Sequence, residues 1–340
     1  MEYDEGLITR TCAEHELLLH CTRTYVDPVR AEQTRSLLNQ EIDWVYLLKL
    51  ADRHSIMPLL YWRLIEICPD AVPLEILSQL RERFKKNTWH NLFLTGELIR
   101  ILALIKSRRV TAVPFKGPAL AALLYGNLAL RDFGDLDIVI HEKDIPQVRK
   151  ILIDNGYRPQ FRLTQVQESA LPKYRCEHAF TSGDGKIVID LHWRFDPPYL
   201  SFSAEPQLSE NDLETVVLGG KEVLTFPSED LLLILCLHGA KHSWERIGWI
   251  CDVASLIEVK KTMDWERVLR LATTQGCERM LFLGIWLAKD LMGADLPKEI
   301  LQRASMDSKV VSLATQVAKN LFEQIGFSKG FKEIFFYLFS

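Results

Sequence analysis

Apolar residues recur at helical spacing over most of the first hundred positions, and no stretch there alternates as a strand does. Asp43 stands ahead of Trp44, Leu47, Leu48 and Ala51, a capping residue before one apolar stripe. Pro58 interrupts that pattern, and Leu59, Leu60, Tyr61 and Trp62 open a second segment. A third helix is predicted from Leu92 to Lys106, with Leu94, Leu98, Ile101, Leu102 and Ile105 along one side.

The texture changes near Val110. Val110 to Phe115 is a short apolar run, stopped by Lys116-Gly117-Pro118. A short helix over Ala119 to Leu124 and a buried strand over Leu136 to Ile140 follow, then a helix from Ile145 to Ile153 that ends at Asn155-Gly156. Ala179 to Ser182 and Lys186 to Trp193 are predicted as strands joined through Gly183-Asp184-Gly185. Pro197 to Gly220 reads as a connection with room for a short hairpin. Beyond it Pro227-Ser228-Glu229-Asp230 starts a helix, and helical patterns continue over Leu231 to Leu237, Ile247 to Leu256, Trp265 to Leu271, Met280 to Leu291 and Val310 to Phe322. The pattern divides the chain into a helical region at 1–109, an α/β core at 110–200 and a second helical region at 201–340.

Composition narrows the class. The 340 residues are 48% hydrophobic and 25% charged, ordinary for a globular protein. A net charge of −4 gives no global basic field, so nucleic acid is not favoured as a partner. The start, MEYDEGLITR, is acidic and lacks a signal peptide's basic and apolar regions, and the most apolar run, Leu231 to Leu237, falls far short of the roughly 20 residues that span a bilayer. Seven cysteines without a C-x-x-C pair argue against a zinc ribbon or a disulfide framework. A cytoplasmic protein with buried thiols and no membrane partner is the expectation.

The candidate chemistry lies in Gly134-Asp135-Leu136-Asp137. At the start of a strand, Asp135 and Asp137 point to one face and Leu136 to the other. Two adjacent carboxylates repel, and a hard divalent cation with oxygen ligands suits them. Asp190 sits in the apolar run Ile187-Val188-Ile189-Asp190-Leu191-His192-Trp193, where a charge needs a reason. If that strand lies beside Leu136 to Ile140, Asp190 faces the other pair. Three carboxylates around two ions are the parts of a two-metal phosphoryl-transfer site.

Phe115-Lys116-Gly117, Tyr125, Arg131, Gly134-Asp135-Leu136-Asp137 and Asp190-Leu191-His192-Trp193 together resemble the DNA polymerase β-like nucleotidyltransferase superfamily and, within it, the uncharacterised bacterial nucleotidyltransferase family. Weaker likeness extends to Asp43-Trp44, His238, Lys241-His242 and Asp252, so it covers roughly residues 40 to 260. The resemblance implies an α+β fold, with a small central mixed β-sheet flanked by N-terminal and C-terminal helical regions. It further implies Mg2+ (or Mn2+) held by catalytic Asp135, Asp137 and Asp190, and a nucleoside triphosphate, expected to be ATP, as co-substrate. The nucleotide-binding residues it implies are Lys116, Gly117 and Arg131. The superfamily's usual phosphate turn is Gly-Ser. Here Lys116-Gly117-Pro118 offers no hydroxyl, and Pro118 no amide donor.

Each residue also has a plainer reading. Asp135 and Asp137 suit a solvated bend, Lys116 a surface turn, and Arg131 a structural pairing with Asp132 or Asp135; in a functional role Arg131 either orients the acidic pair or touches phosphate. His192 shares a face with Asp190, as its structural partner or in a direct role. His238 and His242 stand at i, i+4, a spacing that binds zinc, but Gly239, Ala240 and Lys241 lie between them where H-E-x-x-H enzymes carry glutamate. With Lys241 they form a helix face for acceptor or triphosphate, or they are ordinary core histidines. Trp244 and Trp249 are read as packing. The leading expectation is transfer of a nucleoside monophosphate, or another phosphoryl fragment, to an unidentified acceptor: a small molecule, peptide, protein or RNA. The alternatives are a catalytically silent nucleotide-binding scaffold with the same fold and a zinc hydrolase built on His238 and His242.

Overall fold

The computed structural model describes residues 12–23, 28–195 and 208–323. Five helices come first: α1 (Ala13–Cys21), α2 (Pro28–Leu38), α3 (Trp44–Arg53), α4 (Met57–Ile67) and α5 (Leu74–Ser107). The middle runs β1 (Ala112–Pro114), α6 (Gly117–Tyr125), β2 (Leu136–Ile140), α7 (Ile145–Asp154), β3 (Arg158–Pro159), α8 (Gln165–Tyr174), β4 (Glu177–Thr181) and β5 (Val188–His192). A hairpin of β6 (Glu214–Leu218) and β7 (Lys221–Thr225) leads to α9 (Ser228–Lys241), α10 (Ile247–Val259), α11 (Trp265–Gln275), α12 (Glu278–Met292), α13 (Lys298–Met306) and α14 (Ser308–Phe322).

Local signals account for several boundaries. Asp43 caps α3 by accepting the Tyr46 amide at 2.9 Å, and Pro58 sits in the first turn of α4, where its missing N–H costs nothing. The helix predicted from Leu92 is the second half of α5, which runs for 34 residues and about 50 Å. Its first half escaped the periodicity because Leu74 and Trp89 are exposed. That half is tied down by polar contacts instead: Asn87 Nδ2 donates to the Ala129 carbonyl at 2.9 Å, and Asn91 Nδ2 to the carbonyls of Leu128 at 2.7 Å and Arg131 at 2.8 Å. The capping box of Thr164 and Gln167 starts α8, in a stretch whose apolar pattern gave no helix. Of the connection read from Pro197 to Gly220, residues 197–207 lie outside the described residues. The hairpin falls at 214–225, turning on Gly219 and Gly220, both at positive φ.

The fold is α+β. Its five-stranded sheet has the order β1-β2-β5-β4-β3, with β2 and β5 parallel and the other neighbours antiparallel. The two faces differ in chemistry. Leu136, Ile138 and Ile140 of β2, Ile189 and Leu191 of β5 and Phe180 of β4 are buried in a core shared with Leu94, Leu98, Ile101 and Ile105 of α5 and with α7. The alternate residues, among them Asp137, Asp190, His192 and Glu177, share the other face. A second, larger core joins α1, α3, α4, α9, α10, α12 and α14. No helix among the described residues is long and apolar enough to cross a membrane.

Candidate active site

The parallel pairing of β2 with β5 sets Asp137 directly beside Asp190, while Leu136 pairs with Ile189 toward the apolar face. Asp135 lies just ahead of β2, between the buried anchors Phe133 and Leu136. The β1–α6 turn is laid against this segment. Gly117 has φ +54°, and a Cβ there would stand 3.3 Å from the Asp135 carbonyl oxygen, so glycine suits both the conformation and the approach. Lys116, one residue earlier, thereby reaches the carboxylates. Together with Glu177, His192 and Phe115, they line a cavity of about 280 Å³, which Ile234, His238, Lys241 and His242 at the end of α9 close on the far side.

Charge is distributed unevenly over this cavity. Asp137 is 4% exposed, and its Oδ1 accepts from Lys116 Nζ at 2.8 Å and lies 3.0 Å from His192 Nε2. Burial would raise its carboxyl, but the Lys116 ammonium and His192 outweigh that and hold it well below the usual carboxylate range. The other two carboxyls move the opposite way. Burial, and then the negative charge of Asp137, raise Asp135 and push Asp190 up to about 6. His192 Nδ1 faces Glu177 Oε2 at 3.2 Å, and Lys241 Nζ lies 3.6 Å from the same oxygen. Burial favours a protonated Glu177, yet His192 and Lys241 bring its carboxyl down. Burial, together with the nearby Lys116 and Lys241, lowers both α9 histidines, His242 to about 4. Their rings sit 4.7 Å apart, each within about 5.3 Å of Trp249.

Of the residues singled out from sequence, Lys116, Asp135, Asp137, Asp190, His192, His238, Lys241 and His242 meet around this one cavity. Gly117 and Arg131 do not line it. Gly117 is buried against the Asp135 backbone. Arg131 turns to Asp252, donating from Nε at 3.1 Å and Nη2 at 2.9 Å, and Tyr125 Oη donates to the same carboxylate at 3.1 Å. Arg131 therefore orients neither Asp135 nor Asp137 by direct contact; it anchors the segment leading to them. Glu177 was missed from sequence because the strand was begun at Ala179. The alternation Glu177, Ala179, Thr181 would have placed it on the face of Asp190.

Among the described residues, no group of three or more His, Cys, Asp or Glu side chains is arranged to hold one metal ion. The donor set still fits magnesium, which takes hard oxygen ligands and commonly uses one or two carboxylates plus substrate phosphates rather than an all-protein cage. Asp137 and Asp190, side by side with Asp135 ahead of them, supply such carboxylates.

A family model described as uncharacterised nucleotidyltransferase matches residues 40–293. Among curated proteins, none matches the chain by sequence. Solved structures similar to it include the antibiotic-resistance factor ANT(2'')-Ia in solution, at 16% identity over 52% of this chain and 89% of that one, TM-score 0.36. The same factor in complex with adenylyl-2''-tobramycin gives 16% over 53% and 95%, TM-score 0.38. An antigenic nucleotidyltransferase-like protein from Paracoccidioides brasiliensis gives 14% over 63% and 96%, TM-score 0.34. At such low scores the likeness does not extend to residue positions or substrates.

Proposed function

Because the chain belongs to the uncharacterised nucleotidyltransferase family, we propose that it moves a nucleoside monophosphate from a nucleoside triphosphate, ATP first among the candidates, to a hydroxyl-bearing acceptor, with Asp135, Asp137 and Asp190 as its metal-holding carboxylates. The observation that carries this assignment is the register of β2 and β5, which sets Asp137 beside Asp190 on the cavity face. Two Mg2+ (or Mn2+) ions there would activate the attacking oxygen and stabilise the triphosphate and departing pyrophosphate.

The chain's own groups have separable tasks. Lys116 binds triphosphate oxygens as a point charge, in place of the hydroxyl its turn lacks. The acceptor oxygen forms a bond to the α-phosphorus as the α–β bridging bond breaks, and its proton passes to the Asp190 carboxylate. Glu177 holds His192 from the side opposite Asp137 and keeps the ring oriented. His238, Lys241 and His242, on the α9 wall, face the acceptor. On this reading the core is 110–200, and the C-terminal helical region supplies the acceptor side.

The test is incubation with each labelled triphosphate, Mg2+ and a cell extract. Transfer of label to a defined acceptor, dependent on Asp190, supports the reading. Tight triphosphate binding without pyrophosphate release under any acceptor condition argues for a silent nucleotide-binding protein instead.

A further inference from the structure

A lysine ammonium and a histidine ring nitrogen converge on a single oxygen of Asp137, and they are held differently. His192 is embedded in β5 and is gripped at its second ring nitrogen by Glu177, which Lys241 faces in turn. Lys116 stands on the turn before α6, and among the described residues Asp137 is the carboxylate its ammonium pairs with. One of the two can leave without dismantling a network, and it is Lys116.

That oxygen is already taken twice, by Lys116 Nζ at 2.8 Å and His192 Nε2 at 3.0 Å, which together occupy the two lone pairs a carboxylate oxygen offers. A divalent cation that takes Oδ1 as a ligand must displace one of them, in a buried setting where like charges are poorly screened. We propose that Lys116 is an exchangeable counter-cation: it neutralises Asp137 in the empty site, yields Oδ1 to a divalent cation, and then binds the triphosphate that arrives with that cation. The proposal rests on the nucleotidyl-transfer reading of this cavity and adds an order to it. A cation arriving alone must expel the ammonium without offering it a new anion. A cation arriving with triphosphate supplies that anion, so the two bind with positive coupling. The same exchange explains how a turn with no hydroxyl, and with proline where an amide would donate, still makes a phosphate contact.

The experiment is Mn2+ titration of the full chain without nucleotide, read from the electron paramagnetic resonance of free Mn2+. Lys116→Gln removes the competitor and keeps much of its length, and should bind Mn2+ about tenfold more tightly than wild type, the scale of one charge-assisted hydrogen bond. Lys116→Arg retains the charge and should stay near wild type. Adding ATP should tighten Mn2+ binding less in K116Q than in wild type. A second readout needs no variant to fold: acetylation of Lys116 in the wild-type protein, followed by mass spectrometry, should rise with Mn2+ alone and fall once ATP is added. Equal or weaker Mn2+ affinity in K116Q, or labelling indifferent to Mn2+, overturns the exchange and leaves nucleotidyl transfer standing. Failure of the wild type to bind Mn2+ even with ATP overturns both.

Discussion

Asp252→Asn separates the charges that hold the fold from those available for chemistry. The Asp252 side chain is 3% exposed and accepts from both Nε and Nη2 of Arg131, itself 12% exposed, and from Tyr125. Asparagine keeps the shape but removes the negative charge and turns an NH2 group toward a guanidinium. Breaking a buried pair by removing one partner costs about 3–5 kcal/mol, because the remaining charge is stranded. For a chain of this length that is a fall in Tm of roughly 4–7 °C. The damage should reach the cavity, since the Arg131 carbonyl is also the acceptor for Asn91 and Asp135 follows four residues on. The assay is urea denaturation with thermal melts, on the single variant and on the double variant Arg131→Met/Asp252→Leu. The double variant leaves no buried charge and should recover most of the loss. A single variant within about 1 kcal/mol of wild type, or a double variant no better than the single, refutes the argument.

The cavity carboxylates should respond differently, and from one another. Asp190→Asn relieves repulsion by Asp137, so its Tm in EDTA should match or exceed wild type while turnover falls by orders of magnitude; a lower Tm with turnover intact would remove Asp190 from the chemistry. Asp137→Asn should also abolish turnover, but with a lower Tm, because it deprives Lys116 and His192 of their shared partner; an unchanged Tm would show that those contacts hold nothing. His54 is fully buried, with Nε2 3.1 Å from the Leu321 carbonyl, and burial lowers it to about 4. A depressed histidine stabilises the fold above its unfolded value near 6.5 and loses that contribution as pH falls toward 4, here about 3 kcal/mol across the window; melts at pH 7 and pH 5 should show a shallower decline in His54→Gln, and an identical slope counts against it. Gly239→Ala would place a Cβ 2.5 Å from the ring of fully buried Trp244 and should cost about 1–3 kcal/mol by chemical denaturation; no measurable loss would mean the ring has room to move.

Legibility in the sequence followed the range of the interactions. Leu136 to Ile140 is β2 as predicted, because five buried apolar or paired residues in succession leave little choice. Asn155-Gly156 ends α7, where Gly156 has φ +87°. The register of Asp190 against Asp137 could be framed only as a condition, since it depends on which strands pair across more than fifty residues. Arg131 illustrates the limit. Its neighbours Asp132 and Asp135 were the natural candidates for pairing, yet its partner Asp252 lies 121 positions away on α10, brought near by the packing of that helix. The start of α5 was illegible for a different reason, because exposed Leu74 and Trp89 blur its stripe.

The cavity's charge balance joins these observations to chemistry. Asp135, Asp137, Asp190 and Glu177 bring four carboxylates, and Lys116 and Lys241 bring two ammonium groups. His238 and His242, lowered mainly by burial, stay neutral near pH 7 and add nothing. The two lysines lie against Asp137 and Glu177. The negative excess therefore falls on Asp190 and Asp135, the two carboxyls that burial and Asp137 raise. A packed structural network would be expected to distribute its cations so that no carboxylate is left under this strain, as Arg131 and Asp252 do a short distance away. Here the unbalanced pair borders an open cavity, so a mobile cation from solution can relieve it, and the relief is greatest when that cation carries its own anionic cargo to engage Lys116.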